Sequence, residues 1–471
     1  LFCVFIFRYL FPLFSFLYGR FFSEEFLMLD NIELIVDNYA KEGILFYHDL
    51  ISCFNGSSFS RIRKLSTLDI LFQMINRHGR TQWAEVQELC EHKDMTITDK
   101  GFFMARSKFN PEAVHVMADE FIANMYDNYN DSMQKWKDLL VLSVDGSKIT
   151  VPDTAENKEV FGTQTSSVTE NQPAMALTST LHDSINHLKL DLQVDRITQS
   201  ERTLALKHID HYCENYSDKA VFVFDRGYVS MYLIDSLVEK EQYFLFRTRS
   251  GDYTKYFSQV ETGMSKTFDV SMDRSETNHY RQDRHFRNHL LNTTYRLRFA
   301  KVVIGKNEDG SDSVEFLITN LPEEVATEKE LKDLYWLRWN VETSYNQLKN
   351  RMKMEEFSGY KPEFILQDLY ADMWMYNIVS LKIMEANEKK HLTQNEDGEY
   401  VIKRNFNKTL GTMRRYFLKV LMCEDEVERQ KLQEKIWMNI NGAICWVKKG
   451  ERQFSRKQSV NKSSISYRKS Y

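Results

Sequence analysis

A chain of 471 residues has room for two or three domains with a sizeable core, and 13% aromatic residues with only 6 Pro and no low-complexity tract exclude a disordered protein. A formal net charge of -5 excludes the overall positive coat that usually marks a nucleic-acid binder, so any such contact has to be local. The cysteines Cys3, Cys53, Cys90, Cys213, Cys423 and Cys445 include no C-x-x-C pair, which argues against a cysteine zinc site or a disulfide framework and fits a reducing cytoplasm.

The chain opens on LFCVFIFRYLFPLFSFLYGRFF, apolar enough to suggest a signal or an anchor. Arg8 interrupts it, Pro12 breaks it, and no small-residue cleavage site follows. Met28 starts a stretch that reads like an ordinary cytosolic opening, so residues 1–28 are expected to be non-native or translated from upstream, and no membrane span is expected. Residues 29–130 read as helical, with apolar residues at helical spacing in Leu65–Ile75 and Val114–Met125. Between them Thr98 and Asp99 are N-cap residues for a helix through Phe102–Phe109, which Asn110-Pro111 ends while starting the next. Helix, short turn, then a helix showing Arg106 and Lys108 is the layout of a helix-turn-helix reader of DNA; a plain helical bundle with a solvated charged helix has the same pattern.

From residue 138 the period changes. LLVLSV (Leu139–Val144) reads as a buried strand ending on Asp145-Gly146-Ser147, followed by strands at Ala174–Leu181 and His187–Val194 and a helix at Ser200–Tyr212. AVFVF (Ala220–Phe224) is a second buried strand, ending on Asp225-Arg226-Gly227-Tyr228, with a helix at Ser230–Lys240 and a strand at Tyr243–Arg247 after it. That order, strand-strand-strand-helix-strand-helix-strand, is the order of a ribonuclease-H-like domain. Residues 248–325 interrupt it with alternating segments such as Tyr295–Val303 and Val314–Ile318 and a turn signal at residues 307–310, which predicts a β-rich insertion. The basic run His279, Arg281, Arg284, His285, Arg287 and His289 inside it reads either as a solvated edge or as a clamp on a DNA backbone.

LKDLYWLRWNVETSYNQLKNRMKMEEFSGY (Leu331–Tyr360) predicts one long helix with two stripes. Leu334, Leu337, Val341, Tyr345, Leu348 and Met352 share an apolar face at about 100° per residue, and Tyr335, Arg338, Glu342 and Lys349 form a polar stripe beside it. A carboxylate flanked by Arg and Lys suits a site that holds a metal and a phosphate together, although an Arg338–Glu342 pair on a solvated face fits the spacing too. Beyond it lie an amphipathic helix at Ile365–Met384, a segment with Arg414, Arg415 and Lys419, and a basic tail from Lys448.

The spacing Y-x2-R-x3-E-x6-K of Tyr335, Arg338, Glu342 and Lys349, with E-x-F-S-G at Glu356–Gly359, resembles the motif of the DDE transposases of insertion sequence family four; the D-G-S and D-R-G-Y contexts and the run of Ala105, Arg106, Lys108 and Pro111 are similar to that family as well. The resemblance implies a helical DNA-binding domain at residues 29–130, a ribonuclease-H-like catalytic domain at 131–390 with the β-rich insertion, and a helical region with a basic tail at 391–471. It implies that Asp145, Asp225 and Glu342 are the catalytic residues and the ligands of two Mg²⁺ ions, for which Mn²⁺ can substitute. Tyr335, Arg338 and Lys349 are then expected on the phosphates, with Arg106 and Lys108 on the element's ends. The expected reaction is cut-and-paste transposition of DNA bounded by terminal inverted repeats, by a homodimer assembled on DNA in the bacterial cytoplasm at the nucleoid. The alternatives are a nuclease of the same fold without strand transfer, and an inactive or domesticated DNA-binding copy.

Overall fold

A computed structural model describes residues 31–52, 59, 63–164, 172–306, 310–390 and 400–448. The apolar opening stretch, residues 307–309 of the turn signal and the tail from residue 449 lie outside the described residues. The described chain begins with helices α1 (Ile32–Phe46), α2 (Thr67–Ile75), α3 (Gln82–Lys93), α4 (Asp99–Arg106) and α5 (Pro111–Asn128). Short polar side chains start them. Ser66 and Asp69 form a reciprocal capping box on α2, Thr98 accepts from the Gly101 N–H at 3.0 Å on α4, and Asn110 caps α5 with Pro111 in its first turn.

A mixed α/β region follows, with β1 (Leu140–Thr150), β2 (Met175–Asp183), β3 (Leu188–Arg196), α6 (Glu201–Asn215), β4 (Ala220–Phe224), α7 (Met231–Glu239) and β5 (Tyr243–Thr248). Next come β6 (Ser265–Ser271), α8 (Arg284–Asn292), β7 (Thr294–Lys306) and β8 (Asp312–Thr319). All these strands lie in one eight-stranded sheet of order β3-β2-β1-β4-β5-β8-β7-β6. β1, β4 and β5 run parallel and every other pairing is antiparallel. The segment expected as an insertion therefore forms no sheet of its own. β8 pairs directly with β5, Phe246 opposite Ile318, and carries the central sheet outward.

The central strands are buried on both faces, and alternation assigns their side chains to two cores. Phe222 and Phe224 of β4 join one cluster with Leu142, Val144, Phe244 and Phe246, while Val221 and Val223 join the other with Val141 and Leu245. The second core is closed by α9 (Glu328–Leu337) through Leu331, Leu334 and Tyr335. The first receives Val341 and Tyr345 from α10 (Trp339–Asn346), followed by Leu348 from a π-turn at Gln347–Arg351. The single helix expected at 331–360 is thus broken at Arg338 and ends by Met352, because its two halves pack into cores on opposite faces of the sheet.

Helix α11 (Pro362–Lys389) is buried on almost every side from Pro362 to Ala386, against β3 and the N-terminal helices. Its polar residues face partners rather than water. The Arg77 guanidinium lies 2.6 Å from Asp372, and Lys382 pairs with Glu33 at 2.9 Å and Glu385 at 2.8 Å. The chain closes with β9 (Tyr400–Arg404), α12 (Phe406–Leu421), α13 (Glu426–Asn441) and β10 (Ile444–Lys448), β10 pairing antiparallel with β9. No helix among the described residues is long and apolar enough to cross a membrane.

Candidate active site

β1 and β4 pair in parallel with Ser143 opposite Val223, so Asp145 and Asp225 each stand two residues beyond the same paired couple, at one edge of the sheet. Asp145 does not end its strand as the sequence suggested. The antiparallel ladder to β2 continues through Asp145 opposite Thr180 as far as Thr150, so the aspartate is fixed on a paired backbone. Tyr345 Oη donates to the Asp145 carbonyl at 3.1 Å and to the Thr178 carbonyl at 3.3 Å, tying α10 to both strands. The break at Arg338 places Arg338 and Glu342 over this same edge. Arg338, only 3% exposed, binds Glu342 Oε1 at 2.6 Å and acts electrostatically on both Asp145 and Asp225.

The two aspartates sit in different fields. Burial pushes the Asp145 carboxyl up to about 7, and Glu342 and Glu201 push the same way against the pull of Arg338 and the Gly146 N–H. Asp225 is raised by partial burial, but the Arg226 N–H, Arg338, Arg247 and Tyr335 together bring it below the usual carboxylate range. Tyr335 Oη donates to Asp225 Oδ1 at 3.2 Å, and burial, with Asp225 alongside, pushes its phenol up to about 12. Arg338 Nε is buried without a hydrogen-bond partner.

Two expected contacts are placed elsewhere. Lys349 lies in the π-turn, where an extra residue per turn takes it off the Glu342 face, and its Nζ donates to the Lys148 carbonyl at 2.7 Å. Arg106 was expected on DNA, yet it is 3% exposed and locked inside the protein. It binds Gln367 Oε1 at 2.7 Å, Asp368 Oδ1 at 2.7 Å and Ser358 Oγ, so its guanidinium has no face to offer a phosphate. Lys108 is half-buried in the turn after α4. Ser358 of the E-x-F-S-G run likewise hydrogen-bonds Asp368, and the Glu356 carbonyl accepts from Arg77 at 2.9 Å.

Three residues at the site were not anticipated. Glu201, at the start of α6, packs against Gly146, its Cδ 2.9 Å from where a Cβ on that residue would stand. Arg247 on β5 reaches Asp225 at 3.8 Å while paired with Glu315 on β8. Lys189 on β3 is fully buried, donates to Ser344 Oγ at 2.9 Å and Thr180 Oγ1 at 3.3 Å, and is pulled down to about 7 by burial against the counter-pull of Asp145. None has a spacing motif; strand register and the packing of α6 bring them together.

Residues 136–378, which include the whole of this site, match a protein-family model described as the transposase DDE domain. The chain belongs to the DDE transposase family. The transposase InsG of insertion sequence element IS4 from Escherichia coli (strain K12) is 22% identical to it over 297 residues, 62% of each protein. The chain thus spans about 62% of the length of that curated relative. A solved structure of piggyBac transposase in a synaptic complex with hairpin DNA covers 87% of this chain and 83% of its own at 10% identity and a TM-score of 0.38, too loose a likeness to argue from.

Proposed function

We propose that this DDE-family chain is a transposase of an insertion sequence that cleaves DNA at the element's ends and joins them to target DNA, on a ribonuclease-H-like domain, with Asp145, Asp225 and Glu342 as its catalytic carboxylates. The observation that carries the reading is the crowding of carboxylates from β1, the end of β4 and α10 around Arg338, with Asp145 held up to about 7. Like charges gathered at such an edge suit a hard divalent cation, for which carboxylate oxygens are the preferred ligands. Asp145, Asp225 and Glu342 are not among the groups whose ligand atoms all lie within 4.8 Å of one another. A pair of ions about 4 Å apart needs no such compactness, since its outer ligands stand roughly 6–8 Å apart.

Asp145, Asp225 and Glu342 would together hold the two Mg²⁺ ions. Bound there, the ions would activate the attacking water or 3′-hydroxyl and stabilise the leaving oxygen. The protein's own share is placement. β1 and β4 fix the two aspartates in register, Tyr345 anchors α10 to the Asp145 backbone, and Arg338 serves as an internal counter-charge that holds Glu342 until substrate arrives. Tyr335, which holds Asp225, would then stand beside the strand being cut. With Arg106 withdrawn, local positive charge for the duplex is offered by Arg415 and Lys419, which line an open cleft of about 690 Å³ between α3 and α12 opposite the paired Arg80 and Glu88. Pairing of two ends before cutting calls for a homodimer on DNA.

The test uses duplexes carrying the element's terminal repeats, with Mg²⁺ or Mn²⁺. Asp145→Ala, Asp225→Ala and Glu342→Ala are each expected to abolish cleavage while end binding persists. Full cleavage by any one of them would refute the ligand assignment. Precut ends separate a transposase, which joins them to a target, from a nuclease, which does not.

A further inference from the structure

A second set of ligand-type side chains gathers where α5 meets β3 and α6. His115 and Asp119 stand one turn apart on the same face of α5, and His115 Nε2 lies 3.2 Å from Asp119 Oδ2 and 3.7 Å from Asp191 Oδ1 on β3. Among the described residues these three form one of the groups whose ligand atoms all lie within 4.8 Å. His211 on α6 is near enough to act electrostatically on both carboxylates.

His208 Nδ1 closes on Asp191 Oδ2 at 2.7 Å, whereas His115 Nε2 stands between its two carboxylates without closing on either to that length. Two ligands on adjacent corners of a tetrahedral zinc-type ion, each about 2.0–2.2 Å from it, stand roughly 3.3–3.6 Å apart, a span that the 3.2 Å and 3.7 Å separations here bracket. His115 Nε2 is cut off from solvent between the two carboxylates, interacting with Asp191 and Asp119 together, and Asp119 Oδ1 and His211 Nε2 are buried without partners. Outer contacts already aim the set. His115 is stacked on Tyr370 with ring centroids 4.2 Å apart, its Nδ1 turns towards Glu112 at 3.9 Å, and Gln193 and His208 hold Asp191.

We propose that His115 Nε2, Asp119 and Asp191, with His211 as fourth ligand, form a binding site for a transition-metal ion of the zinc class, separate from the carboxylate edge at Asp145. Two imidazoles with two carboxylates favour such an ion over Mg²⁺, which takes oxygen ligands in octahedral geometry. The ion would clamp the N-terminal helices to the sheet. His208 carries the contact on to Ser179 Oγ at 3.0 Å, which donates to the Asp145 carbonyl at 3.4 Å, so the clamp would also brace the strand bearing Asp145.

The full chain, purified without a metal-affinity tag, stripped with chelator and kept in excess Mg²⁺, is titrated with Co²⁺ and Zn²⁺ by calorimetry and optical absorption. One equivalent with the visible bands of four-coordinate Co²⁺ is expected, together with a rise in melting temperature. His115→Gln and Asp119→Asn, checked for folding by circular dichroism, should each weaken uptake by at least the roughly tenfold that loss of an outer contact costs. Asp145→Ala should bind the ion as the wild type does; uptake lost in that variant would place the ion at the other site and overturn the proposal. It is overturned equally if the wild type takes up nothing, which would leave a buried ion-pair network only, or if both α5 variants bind undiminished.

Discussion

Around Asp368, guanidinium groups from Arg77 and Arg106 meet the carboxylates of Asp368 and Asp372 inside the packing of α11; at the rim of the sheet Glu342 and Glu201 crowd Asp145, and Arg338 is shared by Asp145, Asp225 and Glu342. Both are partly or wholly buried and both are made of the same chemical groups. Burial alone would raise Asp368, yet Arg77 and Arg106 hold it down to about 2, whereas Asp145 is driven up to about 7. The balanced cluster needs nothing more and joins the N-terminal helices to the core. The unbalanced one has an excess of negative charge facing outward, and that imbalance separates a site from a staple.

The comparison breaks most visibly at the carboxylates themselves. Asp225→Asn and Glu342→Gln should lower Mg²⁺-dependent end cleavage on the order of 10³-fold, as removal of a transition-state contact does, with melting temperature little changed. Arg106→Ala should do the opposite, costing about 3 kcal/mol in urea unfolding by leaving the buried Asp368 with Arg77 alone as counter-charge, while the folded fraction keeps its DNA affinity. A drop in affinity with stability intact would put Arg106 on the DNA after all.

Acid sharpens the contrast. Asp368 is lower in the folded chain than in the unfolded one, so its contribution, on the order of 2 kcal/mol, is present above about pH 4 and lost as pH falls through about 2. Asp145 has the reverse sign: its raised carboxyl favours the fold at low pH, and that support is lost as pH rises through about 7 in the absence of metal. Unfolding curves of Asp368→Asn and Asp145→Asn against pH should each flatten in their own window. Tyr345→Phe has the smallest expected effect, about 1 kcal/mol from the bonds to the Asp145 and Thr178 carbonyls, read as a shift in urea midpoint.

What could be seen beforehand was whatever a local rule encodes. AVFVF occupies β4 from its first residue to its last because a strand buried on both faces is a continuous apolar run, and the turn residues Thr98 and Asn110-Pro111 start the helices they were expected to start. Asp145 and Asp225, the carboxylates proposed here with Glu342, stood out because each follows a continuous apolar run. Arg106 misled because a basic residue on a short helix looks the same whether its partner is water or Asp368, 262 positions away. Lys349 misled because helical-wheel arithmetic assumes a constant turn, and the π-turn at Gln347–Arg351 departs from it. Glu201, Arg247 and Lys189 reach the site through register and packing between distant strands and helices, which no single window of sequence contains.

The continuation of the sheet from β5 into β8, β7 and β6 decides how this architecture tolerates editing. Residues 248–325 are not a detachable cassette: cutting them away would strip β5 of its neighbour along Leu245–Thr248 and expose an open row of amide groups flanked by Phe244 and Phe246. The present border, β6, turns Lys266 and Asp269 to the solvent, charges that discourage another strand from adding on. A shortened variant would be expected to gather into aggregates before any loss of chemistry could be measured.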